Sequence, residues 1–405
     1  MSKFTLHEVK TKKEAKQFLK VPIKIYTGYK NWIRPLDDDI NKIFDPERNL
    51  LFKEGEAIRW ILYDEQGEAV GRIAAFYNRK VASENEQPTG GCGFFECIND
   101  QEAANTLFDA AKAWLISKGM EAMDGSINFG DRDQWWGVLV DGFTSPVYGM
   151  NYNHFYYKDL FEGYGFQNYF NQYSYRRDFN PTTIPENVVE KARRINENPD
   201  YQIRHIRKNE LNEVARNFRN IYNKAWANFS GVAEMSQEQA DTLVKTMKPI
   251  IDERLIYFAY YKGEPIGFFI MIPDINGAIK HLGGKFGLWH KLKFMYHLKI
   301  RKSCNIVLGL IFAVVPEHQG KGVKSALIDC FKVDINSRPT HYKHLELAWI
   351  GDFNPLMMRM LESHVCAYRY KTHVTFRYLF DREKEFKRAP KVSKSRKMEE
   401  QIANK

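Results

Sequence analysis

Apolar and polar residues change their spacing many times along this chain, and the changes predict alternating strands and helices. In the second half, the pattern predicts a strand, two helices, a hairpin, and then three strands that alternate with two helices. The predicted segments are, in chain order, 202–206, 210–228, 237–252, 255–261, 266–272, 307–315, 324–336, 344–349, 355–364 and 368–380. This order favours a mixed α/β sheet flanked by helices.

The first half repeats a similar plan. The pattern predicts a hairpin, a strand, a helix, a further strand, a helix and a last strand that ends at Phe179, at 59–63, 70–77, 93–97, 101–118, 123–129, 156–164 and 167–179. We infer a tandem duplication. The predicted units are a first domain at 1–180, a proline-containing linker at 181–200, a second domain at 201–381 and a basic tail at 382–405.

Composition narrows the class of protein. The 405 residues include 28 Phe, 22 Tyr and 8 Trp, which indicates folded domains with large cores or an aromatic cleft. The five cysteines are scattered without a Cys-x-x-Cys pair, so we expect no disulfide framework, no metal site and a reducing compartment. The first residues do not resemble a signal peptide, and no apolar run is long enough to span a bilayer. We therefore expect a cytoplasmic protein.

Positive charge is concentrated in two segments. The net charge is +10, and residues 382–405 carry +5 of it. Residues 285–302 contain six Lys or Arg and no acid, with Leu288, Leu292 and Met295 at helical spacing. This segment predicts a basic amphipathic helix that lies on an anionic membrane surface or covers a hydrophobic tunnel. An ordinary helix packed between the domains is the alternative. We therefore expect a cytoplasmic protein, with membrane association as the alternative. Nucleic acid is disfavoured as a partner because no recognition motif is present.

A glycine loop at 319–322 joins an apolar strand to a helix. Gly320 and Gly322 let the backbone bend close to a ligand, and the first NH groups of the following helix are free to bind an anion. Lys321 and Lys324 add positive charge, and Gln319 can donate a hydrogen bond. These features predict a diphosphate cradle; an ordinary strand-turn-helix connection is the alternative. The loop is too short for a P-loop of nucleotide hydrolases.

At this loop the chain resembles the GNAT superfamily of acyl-CoA N-acyltransferases. Residues 319–324, Gln-Gly-Lys-Gly-Val-Lys, match the family signature Gln/Arg-x-x-Gly-x-Gly/Ala except at Lys324, and the predicted element order over 200–380 is also the GNAT order. The resemblance implies acetyl-CoA or a longer acyl-CoA as co-substrate. The cofactor-binding residues that we predict are Val314, Gln319, Gly320, Lys321, Gly322, Lys324, Ser325 and Asn354.

A wider resemblance extends over the whole chain. The segments 31–36, 71–75, 93–97, 137–143, 151–153, 156–157 and 370–372 look like those of a bacterial family of double-GNAT proteins. The chain is also similar, less specifically, to bacterial ceramide synthases, which attach an acyl group to a sphingoid base. The resemblance implies a primary amine as acceptor, either a small molecule or a lipid-like amine. The sequence leaves the oligomeric state open.

The first half lacks the glycine cradle. Residues 99–103 read Asn-Asp-Gln-Glu-Ala, so Asp100 and Glu102 would cap the helix and repel a diphosphate. We expect this domain to shape the acceptor site or to act as a scaffold. Tyr152, Asn153 and Tyr156 are the residues that we predict to bind the acceptor, with core packing as the alternative.

Catalytic residues are harder to identify than the cradle. In many GNAT enzymes a Tyr seven residues after the Asn at 354 protonates the departing thiolate, but here that position is Leu361. Tyr370 is the predicted substitute, with cross-strand packing as the alternative. Glu346 is the predicted general base, with a salt-bridged carboxylate as the alternative. Two functions follow: an acyl-CoA-dependent N-acyltransferase, or a non-catalytic acyl-CoA-binding protein.

Overall fold

The computed structural model describes residues 3–83, 87–130, 132, 134–179, 184–226 and 234–391. Within them lies one large mixed sheet with helices packed on its faces, which confirms the predicted α/β class. The strands are β1 (Phe4–Glu8), β2 (Gly55–Asp64), β3 (Ala69–Asn78), β4 (Thr89–Cys97), β5 (Ala122–Gly125), β6 (Val138–Asp141), β7 (Gln167–Asp178), β8 (Tyr201–His205), β9 (Ile256–Tyr261), β10 (Glu264–Pro273), β11 (Ile306–Val314), β12 (His344–Gly351) and β13 (Tyr368–Leu379).

The helices follow the apolar periodicity of the sequence. They are α1 (Lys12–Ile25), α2 (Asp37–Ile43), α3 (Arg79–Ser83), α4 (Gln101–Ser117), α5 (Tyr157–Tyr164), α6 (Glu186–Asn196), α7 (Leu211–Trp226), α8 (Gln237–Met247), α9 (Asn276–Ile279), α10 (Leu288–Met295), α11 (Val323–Ser337) and α12 (Pro355–Ser363). Helix α10 continues directly into a π-helical turn at Tyr296–Ile300.

The two halves of the chain exchange their last strands. The strand order is β1-β2-β3-β4-β5-β13-β7-β12-β11-β10-β9-β8, and β6 also pairs with β13. Strand β7, from the first half, pairs with β12 of the second half, whereas β13, from the second half, pairs with β5 of the first. Residues of the first half therefore line the cleft of the second. The predicted domain limits, 1–180 and 201–381, separate chain segments that share one sheet.

The segment predicted to be a linker, 181–200, contains helix α6. Its buried residues, Val188, Ala192 and Ile195, repeat at helical spacing. They belong to the apolar core of the second half, which includes Phe268 and Phe331. Burial of this apolar face makes the helix part of the second half, where it packs against α11. The predicted linker thus includes a packed helix at Glu186–Asn196, and its role as the boundary between two domains stays a prediction.

Candidate functional site

The strands β11 and β12 separate in the middle of the sheet. They pair in parallel only from Ile306 with His344 to Gly309 with Leu347. A bulge at Leu310 shifts the register of β11 against β10, and within the described residues 311–314 pair with β10 alone. One edge of β11 therefore offers backbone groups that no neighbouring strand bonds.

The glycine loop lies at the end of this open edge. Gly322 is the N-cap of α11 with φ 103°, and no side chain caps the helix. A Cβ at Gly322 would lie 3.0 Å from the carbonyl oxygen of Lys191 in α6, and Gly320 also has a positive φ of 78°. Glycine at 322 thus satisfies both the backbone conformation and the contact with α6. The first NH groups of α11 are left for a ligand.

The polar side chains of the loop lie around the same point. Gln319 donates from Nε2 to the carbonyl oxygen of Val314 at 2.9 Å, so it bonds the strand end. The ammonium of Lys324 lies 5.6 Å from the ring centroid of Phe312, and desolvation lowers its pKa, while Lys321 is exposed. Ser325 is buried in the first turn of α11.

Asn354, the remaining predicted cofactor residue, caps a different helix. Its side-chain oxygen accepts a hydrogen bond from the backbone NH of Met357 at 3.2 Å at the start of α12. This is the capping geometry expected of Asn at such a position. A role in cofactor binding stays a prediction.

Two cavities meet at the gap between β11 and β12. A cavity of about 110 Å³ lies against α11 and α12, and one of about 930 Å³ lies between the two halves of the chain. Gly309, Leu310 and Ala348 border both cavities. A group bound along the open edge of β11 therefore has a short route into the larger cavity.

The larger cavity is mostly apolar and draws its walls from both halves. Strand β7 contributes Gln172, Tyr173 and Ser174, and helix α8 contributes Leu243 and Met247. None of these residues was predicted from the sequence. Their position depends on the exchange of β7 into the second half, which brings the polar face of that strand to the cavity.

His373 of β13 is a neutral imidazole at the wall of this cavity. It is 3 % exposed, and its Nε2 lies 3.0 Å from the carbonyl oxygen of Asn151. Burial lowers its pKa to about 4. Because a carbonyl only accepts, we assign the proton to Nε2, which leaves an unprotonated Nδ1. No hydrogen bond occupies Nδ1 among the described residues.

Acidic groups also border the cavity. Tyr148 donates its hydroxyl proton to Asp39 at 2.9 Å, and burial raises the pKa of that carboxyl. Asp274, which lies between the wall residues Pro273 and Ile275 in the sequence, is buried and accepts from the backbone NH of Tyr148 at 2.9 Å. Burial raises the pKa of Asp274 to about 7.

Glu346 lies in a buried ion triad. Its carboxylate oxygens accept from Arg176 of β7 and Lys371 of β13, each at 2.9 Å, and the side chain is fully buried. Both oxygens therefore have cationic partners, which is the salt-bridged alternative, and Glu346 borders neither cavity. The triad ties together the three central strands. Glu346 as general base stays a prediction that this geometry does not favour.

Tyr370 lies beside the triad. The Arg176 guanidinium is 3.5 Å from the centroid of its ring, a stacking contact between a cation and an aromatic face. Tyr370 borders neither of the two cavities that meet at the gap. Cross-strand packing accounts for its position, and its predicted catalytic role lacks a contact with the cleft.

The predicted acceptor residues lie in the first half and away from the larger cavity. Asn153 bonds the backbone of Leu139 at 2.7 and 2.9 Å, and Tyr156 donates to the carbonyl oxygen of Cys97 at 2.8 Å. Tyr152 borders a separate pocket of about 60 Å³. These contacts fit the core-packing alternative, and acceptor binding by these three residues stays a prediction.

The first half contains a cleft of the same design that the chain itself fills. Strands β4 and β5 pair only from Thr89 to Gly91, after which Ile127 donates to the carbonyl oxygen of Cys92 at 2.9 Å. The backbone NH of Cys97 donates to the hydroxyl of Tyr157 at 3.0 Å. The Cys97 carbonyl oxygen accepts from Tyr156, so protein groups bond three backbone atoms at the edge of β4.

The helix that follows β4 is also closed. Asp100 caps α4 by accepting from the backbone NH groups of Glu102 at 2.9 Å and Ala103 at 3.0 Å. Lys3 donates to the other carboxylate oxygen at 2.6 Å. These contacts lower the pKa of Asp100, which keeps a negative charge where a diphosphate would have to lie.

Comparison with known proteins adds relatives of similar length. The chain is 27 % identical over 375 residues to a bacterial ceramide synthase of Caulobacter vibrioides, covering 90 % of this chain and 94 % of the relative. It is 25 % identical over 372 residues to the protein YghO of Escherichia coli, covering 89 % and 92 %. No family model matches the chain.

Among solved structures, a tandem GNAT protein from the clavulanic acid biosynthesis pathway superposes over 94 % of this chain and 100 % of its own, with a TM-score of 0.52 and 11 % identity. The chain has the tandem GNAT fold. A GCN5-related glucosamine N-acetyltransferase region of a fungal multi-domain protein superposes over 93 % of this chain and 38 % of that one, with a TM-score of 0.51 and 11 % identity.

In this tandem GNAT fold, the cradle residues that the sequence predicts come together at the end of β11, whereas the predicted catalytic and acceptor residues do not meet there. The relatives support acyl transfer as the class of reaction at the level of the family. No helix of the described residues is long and apolar enough to cross a membrane.

Proposed function

We propose that the protein is an acyl-CoA-dependent N-acyltransferase that transfers its acyl group to a primary amine of lipid type, such as a sphingoid base. One observation carries the proposal: the gap between β11 and β12 is open, begins beside an uncapped helix N-terminus and leads to an apolar cavity of about 930 Å³. The name of the Caulobacter relative supports a lipid-like amine.

The chain's own groups fit an acyl-CoA. The free NH groups of α11 with Lys321 and Lys324 match a diphosphate, and the edge of β11 at 311–314 matches an extended amide arm that adds like a strand. The Val314 carbonyl oxygen accepts one hydrogen bond from Gln319 and has a second lone pair. An amide NH of the arm can therefore donate to the same oxygen without displacing Gln319.

The larger cavity fits the acceptor and the acyl chain. Its volume of about 930 Å³ lies at the upper end of ligand pockets, for which roughly 300–1,000 Å³ is typical. Ile272, Met247 and Leu308 are among its apolar walls. An apolar wall of this size suits aliphatic chains better than a small polar amine.

The reaction requires two proton transfers. The amine nitrogen attacks the thioester carbon, a C–N bond forms, the C–S bond breaks, and the nitrogen loses a proton while the thiolate gains one. We assign the removal of the nitrogen proton to Nδ1 of His373. Its low pKa of about 4 suits the acidic ammonium formed after attack, and not a free ammonium substrate. Tyr173 of β7, which borders the larger cavity, is the hydroxyl that we assign to the thiolate.

A non-catalytic acyl-CoA-binding protein is the second candidate. The observation that favours it is Leu361, which is 3 % exposed and packs in the core where many family members carry their catalytic Tyr. Such a protein would bind acyl-CoA with the same cradle but would release no CoA.

The two candidates are separated by measuring binding and turnover on one preparation. Acetyl-CoA and palmitoyl-CoA are titrated by calorimetry, and free CoA thiol is then followed with and without a long-chain sphingoid base. The proposal expects tighter binding of palmitoyl-CoA and thiol release that depends on the amine. Binding without release would favour the second candidate, and no binding of either thioester would remove both.

A further inference from the structure

The segment 286–300 has two apolar sides, and only one of them is buried. Phe294 and Leu298 are each 6 % exposed and pack on a core cluster that includes Ile279 and Leu282. On the other side, Leu288 and Trp289 are 79 % and 80 % exposed. Leu292, Met295, Tyr296 and Ile300 extend the same exposed surface, which we call the α10 patch.

The segment does pack between the two halves, because the cluster around Phe294 and Leu298 includes Leu36 of the first half and Ile279 of the second. The stripe of Leu288, Leu292 and Met295 does not make this contact, because these side chains are exposed. Exposed Leu50, Ile116 and Phe155 elsewhere lie far apart in the sequence and on different elements, whereas the α10 patch gathers six large apolar side chains within thirteen residues, 288–300. Contiguous exposed apolar surface of this kind marks a binding face.

We propose that the α10 patch docks the protein on an anionic lipid bilayer. The slightly longer stretch 285–302 contains six basic residues and no acid: Lys285, Lys291, Lys293, Lys299, Arg301 and Lys302. An exposed Trp and aliphatic side chains beside Lys and Arg are the composition of helices that lie in the membrane interface, with the apolar groups in the headgroup region and the cations on anionic lipid.

The positive charge around the α10 patch favours a bilayer over a second copy of the chain as the binding partner. A two-fold contact through the patch would bring the same basic residues of both copies together, which costs energy because like charges repel. Anionic headgroups neutralise these cations instead. A protein partner would need a complementary acidic groove, and the bilayer supplies both the charge and the apolar layer.

The docked position places the cavity beside the lipid. Phe286, Lys291 and Phe294 of this segment also form part of the wall of the 930 Å³ cavity. A bilayer on the outer side of α10 would therefore lie about one helix diameter, roughly 10 Å, from the cavity. Docking of this surface on a bilayer does not depend on the proposed acyl transfer.

Vesicle co-sedimentation of the full chain tests the proposal. We expect the protein to sediment with vesicles of phosphatidylcholine and phosphatidylglycerol, and to remain in solution with phosphatidylcholine alone. The variant Trp289→Ser/Leu292→Ser and the variant Lys293→Glu/Lys299→Glu should each weaken the partition to anionic vesicles by about tenfold or more. Thermal unfolding of each variant establishes that the fold is retained, since all four side chains are exposed.

Two control variants make the same kinds of substitution at exposed residues outside the α10 patch. Leu50→Ser/Phe155→Ser removes two exposed apolar side chains, and Lys13→Glu/Lys16→Glu reverses two exposed charges on α1. Neither should alter sedimentation. Equal binding by the Trp289→Ser/Leu292→Ser variant, failure of the wild type to bind anionic vesicles, or a wild-type dimer that this variant converts to a monomer would overturn the proposal.

Discussion

The two halves of the chain build the same cleft and finish it differently. In each half, two parallel strands pair for a few residues and then separate beside a helix N-terminus. In the first half, Asp100 caps the helix and Ile127 and Tyr157 bond the free edge. In the second half, Gly322 begins the helix without a cap, and within the described residues the edge at 311–314 has no strand beside it.

The difference shows how the same topology serves as a scaffold or as a binding site. A closed cleft satisfies its backbone groups with its own side chains, so nothing is gained by admitting a ligand. An open cleft leaves those groups for a ligand to satisfy. The proposed ligand, acyl-CoA, fits such a cleft because its diphosphate is anionic and its arm is extended.

The largest effect is expected from closing the second cleft as the first is closed. Gly322→Asp places a carboxylate at the start of α11, as Asp100 stands at the start of α4. We expect the affinity for acyl-CoA to fall by more than about 100-fold, because the charge opposes the diphosphate and the helix NH groups gain a partner. Calorimetric titration measures the loss.

The control places the same substitution at a glycine of positive φ away from the cleft. Gly263 has φ 85° in a hairpin turn, with open space around it. Gly263→Asp should retain acyl-CoA affinity. Full affinity in the Gly322→Asp variant, with its fold intact by circular dichroism, would show that the loop does not bind the diphosphate.

The second largest effect is expected at His373, for which His154 is the control. His373 and His154 each direct Nε2 at a backbone carbonyl at 3.0 Å, but Nδ1 of His154 is buried without a partner while His373 borders the cavity. We expect His373→Gln to lower kcat by about 100-fold, with little change in acyl-CoA affinity, since it removes a proton acceptor. His154→Gln should leave kcat unchanged, and equal losses in both variants would indicate a structural effect.

The same substitution has a pH signature. The pKa of His373 is lowered from 6.5 to about 4, so the unfolded chain takes up this proton first as the pH falls. Stability attributable to the neutral imidazole is complete above about pH 6.5 and is lost by about 3 kcal/mol between pH 6.5 and 4. Urea unfolding of His373→Gln should lack this loss. The opposing contribution of Asp274, whose pKa is raised, cancels in the difference between the two proteins.

A smaller effect is expected at the lysine beside the cradle. Lys324→Ala should weaken binding of acyl-CoA about fivefold while leaving an acyl-pantetheine without the diphosphate unaffected, because only the charge contact is lost. Lys332→Ala, on the same helix, is the matched control. An equal loss for both ligands would place Lys324 against the acyl arm.

The smallest effects are expected from removing the two caps. Asp100→Ala and Asn354→Ala should each lower the free energy of unfolding by about 1 kcal/mol, since each deletes a side-chain acceptor at a helix start. Neither should change acyl-CoA affinity. A clear loss of affinity in Asn354→Ala would instead support the predicted role of Asn354 in cofactor binding.

Local pattern predicts much of this fold. Hairpins such as β9 and β10 follow from two apolar runs around a polar turn, and the cradle follows from Gly320 and Gly322 between a strand and a helix. The elements predicted from the sequence do not include helix α1, although Thr11 and Glu14 form a capping box ahead of the buried Phe18. That signal was available in the sequence.

The exchange of β7 and β13 between the halves cannot be predicted from the sequence pattern. Both strands are long and pair antiparallel with each other, and each could pair equally well within its own half, so the sequence does not choose. The predicted acceptor residues Tyr152, Asn153 and Tyr156 were placed without this exchange. The residues that reach the cavity, Tyr173 and His373, come from the exchanged strands.

The sequence pattern also does not predict which apolar side of α10 faces solvent. Phe294 and Leu298 repeat at helical spacing just as Leu288 and Leu292 do. A helix with two apolar sides shows which one is buried only when its neighbours are placed.

The stoichiometry of acyl-CoA binding to the unaltered protein tests the comparison most directly. Octanoyl-CoA, kept below the concentration at which it forms micelles, would be titrated into the full chain by calorimetry. The account predicts one thioester for each chain, bound in the second half. Two bound thioesters would show that the first cleft is open as well, and none would show that neither cleft is a cofactor site.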